Sequence, residues 1–92
     1  MTAYIIVDAA PIDQEKLSEY SAQAAATLIE FEGEFIAKGP INRIHGDSEF
    51  VMKVMIRFPD KERAESWYRS ASYQALIPLR EQAMRSRFEL IA

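Results

Sequence analysis

Apolar and polar residues change period several times along this 92-residue chain, and each change marks a predicted element. Residues 3–8, Ala-Tyr-Ile-Ile-Val-Asp, form a β-branched run ended by Asp8 and the breaker Pro11, which predicts a strand. Asp13 then suits a helix N-cap, with Glu15 adding negative charge to the first turn. Leu17, Tyr20, Ala24, Leu28 and Phe31 follow at helical spacing, and Gly33 suits a stop. Glu34 to Lys38 reads as a short strand broken by Gly39-Pro40, and Ile41 to His45 resumes as an extended piece before the turn Gly46-Asp47. The clearest strand is Phe50 to Phe58. Phe50, Met52, Val54, Ile56 and Phe58 share one face, and Val51, Lys53, Met55 and Arg57 the other. Pro59-Asp60 opens a second helix carrying Ala64, Trp67, Tyr68 and Ala71 on one side. Ser72 suits a cap for a further turn, and Pro78 must kink or restart the helix because it has no N–H to donate. Ser86 to Ile91 completes the pattern as a strand with Phe88 and Leu90 on one face and Arg87, Glu89 and Ile91 on the other.

The resulting order, β-α-β-β-α-β, is the ferredoxin-like arrangement of the α+β class: one domain over residues 1–92 with a four-stranded antiparallel sheet. Two helices cover only one sheet face. The other face would hold Tyr4, Ile6, Ile36, Val51, Met55 and Ile91, with Asp8, Lys53, Arg57, Arg87 and Glu89 among them. That mixture is too apolar for open water and too charged for a dry core. A second copy of the sheet packed over it, with a partly wet cavity between, fits best, so a homodimer is expected.

Composition removes several function classes. There is no cysteine, hence no disulfide, thiolate metal site or thiol nucleophile. The net charge of −3 argues against a general grip on nucleic-acid phosphates. The charge is uneven: residues 1–50 carry 3 basic and 9 acidic side chains, residues 51–92 carry 8 and 5. No apolar run is long enough to span a membrane, and the first residues lack a signal-peptide layout, so a cytoplasmic location is expected. A single histidine leaves no two-histidine metal motif, and no metal is expected. The third strand lacks the Gly-containing aromatic signature of RNA readers on this fold. No nucleic-acid or membrane partner is expected.

The candidate chemistry gathers near the end of the chain. Arg80 sits in a mostly apolar segment with Leu76, Ile77, Leu79 and Ala83, and a guanidinium near a core needs an anionic partner. Asp8 or Glu81 would serve within the chain; otherwise a ligand carboxylate or enolate would. Tyr68 and Tyr73 are the hydroxyls placed to assist, Tyr73 as a catalytic candidate and Tyr68 as a ligand contact. Asp8, Lys53 and Arg57 point to the uncovered face and are the other ligand-binding candidates, with cross-strand ion pairs as their alternative role. His45, in a loop, is the natural acid–base residue if that loop closes over the cavity. Trp67, on the buried stripe, reads as packing.

Tyr4-Ile5-Ile6-Val7-Asp8, Gly39-Pro40, Gly46-Asp47, and above all Trp67-Tyr68-Arg69-Ser70 with Ser72-Tyr73-Gln74 and Pro78-Leu79-Arg80 resemble one bacterial family. It is domain of unknown function 1330, within the dimeric α+β-barrel superfamily, and the resemblance covers essentially the whole chain. It implies ferredoxin-like dimers whose sheets face each other as a barrel. The chain departs from the family in two places: Gly39-Pro40 replaces paired glycines, and His45 stands where a glutamate is usual. The family has no assigned reaction. The superfamily implies a cofactor-free enzyme, acting by proton transfer or oxygenation on a small carboxylate- or carbonyl-bearing compound. The alternative is a non-catalytic ligand-binding protein or a structural dimer.

Overall fold

The computed structural model describes residues 1–92. Four strands, β1 (Ala3–Pro11), β2 (Glu34–Pro40), β3 (Met52–Phe58) and β4 (Met84–Ile91), form one sheet in the order β2-β3-β1-β4. All its pairings are antiparallel. Helices α1 (Gln14–Leu28), α2 (Lys61–Arg69), α3 (Ala71–Gln74) and α4 (Ile77–Ala83) pack on one face. The least extent of the fold is 16 Å, enough for one sheet and one helical layer. The expected βαββαβ ferredoxin-like architecture is present.

Pairing on both sides carries β1 beyond Asp8, as far as Pro11 opposite Met84. Ala3, Ile5, Val7 and Ala9 alternate toward the helices and join the core, while Tyr4, Ile6 and Asp8 point the other way. The 3 and 9 ends of that run are fully covered, so the apolar half of β1 acts as the floor of the domain. β4 likewise begins at Met84, two residues earlier than the pattern suggested, because α4 feeds directly into it.

The helices begin and end for local reasons. The Asp13 carboxylate accepts from the Lys16 amide at 3.1 Å, and Asp60 accepts from the Arg63 amide at 2.8 Å. Asp13 is the expected N-cap, and Asp60, expected only to open the second helix, caps it in the same way. The short third helix is capped by Ser70, whose hydroxyl accepts from the Tyr73 amide at 3.2 Å; Ser72 is not the cap. Pro78 restarts the chain as α4 rather than kinking a continuous helix, since it falls in the first turn where no amide is needed. After α1 a 3₁₀ turn, Ile29–Phe31, ends at Glu32, and it is Glu32 that takes the left-handed φ of 58°. Gly33 serves packing instead: a Cβ there would lie 2.7 Å from Phe58 Cε1 and 2.9 Å from Leu28 Cδ2.

Two departures affect the uncovered face. Phe50 precedes β3 and does not extend its apolar alternation; its ring lies 5.1 Å from the Arg87 guanidinium carbon, on the side away from the helices. In β2 the register shifts between Phe35 and Ala37, so Ile36 is an extra, bulged residue and belongs to neither face of the ladder. β2 also continues through Gly39-Pro40, as an edge strand permits. Ile41 to His45 forms no strand; the Ile41 amide donates to the Val51 carbonyl and closes the loop at its base. No helix is long and apolar enough to cross a membrane.

Candidate functional site

Arg80 is the one cation inside the helical layer, with its residue only 8% exposed. It gets there because α4 restarts after Leu76 and turns its first full turn back onto β4. Its Nη1 donates to the Tyr68 hydroxyl at 2.9 Å and to the Tyr73 hydroxyl at 3.2 Å. Its Nη2 donates to Glu81 Oε1 at 2.9 Å. The guanidinium carbon lies 4.9 Å from the Phe88 ring centre and 5.8 Å from that of Tyr68. Burial opposes the charged form, but the bonds to Tyr68, Tyr73 and Glu81 outweigh it, and the pKa stays above the ordinary arginine value. The cation is permanent.

One atom of this group is unsatisfied. Arg80 Nε is buried and has no hydrogen-bond partner. Nε–H and the adjacent Nη–H form the side of the guanidinium that grips a carboxylate with two parallel bonds. Glu81 supplies a single oxygen to this group, from a side chain that is 60% exposed. An uncompensated buried charge costs several kcal/mol, so a neighbour this loosely held is weak compensation.

Arg80 borders a cavity of about 410 Å³ between α2 and the β1–β4 half of the sheet. Tyr68 and Phe88 share its wall with Arg80, and Glu65 is the acidic residue on the same side; Glu89 borders the cavity from β4, but its carboxylate lies 3.6 Å from Arg87 Nε on the opposite sheet face. Tyr68 spends its oxygen on Arg80, which leaves its own hydrogen free for an acceptor in the cavity. Glu65 carried no signal in the sequence as part of a pocket, since it reads as a solvated helix position.

Tyr73 is fully buried and lines neither this cavity nor the other one described below. Its hydroxyl meets that of Tyr20 at 2.6 Å and accepts from Arg80. Burial pushes the pKa of both phenols up, so each is a neutral hydrogen-bonding group near neutral pH. Tyr73 therefore positions Arg80 rather than meeting a ligand. Tyr20, on α1, was read only as a helix-face residue; its hydroxyl pairing across 53 positions has no local sequence signal.

Asp8, Lys53 and Arg57 are not brought to Arg80. β1 pairs Val7 with Phe88 and Asp8 with Arg87, so Asp8 lies on the opposite face of the sheet from Phe88 and the Arg80 cavity. The expectation of a single cavity shared by all four residues is corrected on that geometry. Asp8 is 3% exposed, and one oxygen meets Lys53 Nζ at 3.0 Å while the other meets Arg87 Nη2 at 2.8 Å. Burial raises its pKa, but hydrogen bonds from Arg87 and then Lys53 overcome this and hold it below the usual carboxylate range. Arg57 pairs with Glu34 across β2 and β3. The cross-strand pairs expected on this face are thus made, with Arg87 in place of Arg57 at Asp8. His45 is exposed in the loop after β2 and borders neither cavity.

Solved structures of other proteins share this fold. A protein of unknown function from Rhodopseudomonas palustris superposes with a TM-score of 0.79 at 12% identity, over 98% of this chain and 80% of its own. A dimeric ferredoxin-like protein of unknown function from Jannaschia gives 0.77 at 17% identity, over 100% and 99%. SnoaB, a cofactor-independent oxygenase from Streptomyces nogalater, gives 0.65 at 11% identity, over 99% and 89%. At such identities the likeness shows the fold alone. Among curated proteins none matches this sequence. A family profile, by contrast, matches residues 2–92, and the chain belongs to the family described as domain of unknown function (DUF1330).

Proposed function

We propose that this chain binds a small carboxylate- or carbonyl-bearing organic molecule at Arg80. The observation that carries the reading is the half-used guanidinium: a nine-tenths buried cation with an unpaired Nε at the border of a cavity. An incoming carboxylate or enolate displaces Glu81 from Nη2, takes Nε as well, and receives the free Tyr68 hydrogen. Such a pocket favours an enolate over its parent carbonyl, because the fixed cation gains most where negative charge develops. Proton transfer at a carbon beside the carbonyl is therefore the chemistry it suits, with Glu65 as the carboxylate on the same wall. Oxygenation without a cofactor, the activity of the structurally similar SnoaB, is the neighbouring possibility for this site. Non-catalytic binding is the second reading, favoured by one observation: the expected acid–base residues, His45 and Tyr73, both lie off the cavity.

The working unit in this proposal is a homodimer, joined through the sheet face that carries Asp8 and Arg87; dimeric relatives such as the Jannaschia protein support it. A panel of small carboxylates, from acetate to benzoate, titrated by calorimetry tests the ligand reading. Arg80→Lys keeps the charge but loses the two-bond geometry, so binding should weaken at least tenfold while the fold, read by circular dichroism, survives. Equal affinity in the variant would remove Arg80 from the site.

A further inference from the structure

We propose that the space beneath α1 is a second ligand site, built for an uncharged, largely apolar molecule. This site is independent of the Arg80 reading, since Arg80 does not line it, and Phe88 is the wall common to the two cavities.

The space holds about 340 Å³ and has twelve hydrophobic residues among its sixteen. Domain interiors hold few voids larger than a water molecule, and ligand cavities begin near 300 Å³. Its origin is visible in α1. Ser18, Ser21 and Ala24 fall at three-residue spacing on the face turned to the sheet, and none reaches far enough to fill the gap. Across from them, β2 buries almost nothing: every residue from Glu34 to Lys38 is exposed. Met52, Val54 and Leu17 are consequently only partly buried, although all three pack against the core. A larger residue at Ser21 would close the space with no change of fold, so the vacancy is a property of these side chains and not of the topology.

The polar groups define the ligand. Lys38 is the only charged residue of the lining and lies at the rim, with its Nζ 5.7 Å from the centre of the Phe35 ring. No carboxylate faces the space, so a cation has no partner there. Tyr20 also lines the space, but its hydroxyl is already paired with that of Tyr73 at 2.6 Å. The lining therefore suits an uncharged, largely apolar body.

N-phenyl-1-naphthylamine, an uncharged dye that brightens in apolar surroundings, is the probe. Trp67 is the only tryptophan and lines this space, so bound dye should quench it by energy transfer. The parent chain should bind one dye per subunit with brightening and Trp67 quenching together. Ser21→Phe, or Ser21→Leu should the larger ring prevent folding, should weaken binding at least tenfold; Ser18→Leu, at an exposed position of α1, should weaken it in the same direction. Dye binding that is absent from the parent or survives filling at Ser21 would overturn the proposal. Carboxylate binding failing while dye binding follows this pattern would overturn only the Arg80 reading.

Discussion

Trp67→Ala should be a severe stability defect. The indole is 1% exposed, with ring centres 4.4 Å from Tyr73, 5.6 Å from Phe58 and 6.2 Å from Tyr68. Its Nε1 donates to the Thr27 hydroxyl at 2.9 Å, and that hydroxyl donates in turn to the Ala24 carbonyl. Truncating a buried Trp costs about 3–5 kcal/mol. Since one side of the ring already borders the space beneath α1, part of its packing is missing in the parent, and a value near 3 kcal/mol is expected. A domain of this size has roughly 5–14 kcal/mol in total, so the variant should fold but unfold at much lower urea. Trp67→Phe separates the contributions: most of the ring packing stays, while the Thr27 bond is lost at about 1 kcal/mol. Urea unfolding followed by far-UV circular dichroism reads both, since the fluorescent residue is gone. A Trp67→Ala variant that melts with the parent would refute the packing role.

Gly33→Ala should destabilise by about 1–2 kcal/mol, because the added methyl meets the buried Phe58 ring; overpacking exceeds the gain from a stiffer unfolded chain. In a thermal melt this is a fall of roughly 4–15 °C, and an unchanged melt would show that Phe58 can move aside. Asp8 has a folded pKa below its ordinary 3.8, so its contribution is complete above that value and lost as pH falls through the folded pKa. The stability gap between parent and Asp8→Asn should therefore be constant above about pH 5 and close in stronger acid; a gap independent of pH would refute the ion cluster. Sedimentation should give a dimer at micromolar concentration, and Ile6→Asp on the uncovered face should give monomer; a parent that sediments as monomer would contradict the sheet-to-sheet assembly.

Strand and helix order was legible because β1, β3 and α1 each hold one period over several residues. Arg80 was legible too, as a cation in an apolar run. Its surroundings were not. Tyr68 and Tyr73 reach it only because the chain breaks at Ser70 and again before Pro78, and those two breaks set the angle between α2 and α4. Which sheet face Arg80 addresses depends on that same angle, which explains why it was grouped with Asp8. Phe50 misled for a simpler reason: the alternation starts in the sequence before the strand itself begins at Met52. The space beneath α1 had no positive signal, since Ser and Ala on a helix face describe solvent contact as readily as a gap.

The role of Arg80 as ligand anchor is tested most directly by its Nε–H resonance in a ¹H–¹⁵N spectrum, assigned by its loss in Arg80→Lys. An unpaired Nε–H should shift downfield and become protected from exchange as benzoate is added, saturating with the calorimetric affinity and leaving the other arginine resonances in place. An Arg80 resonance unmoved at saturating carboxylate would contradict the assignment of this buried guanidinium as the ligand anchor.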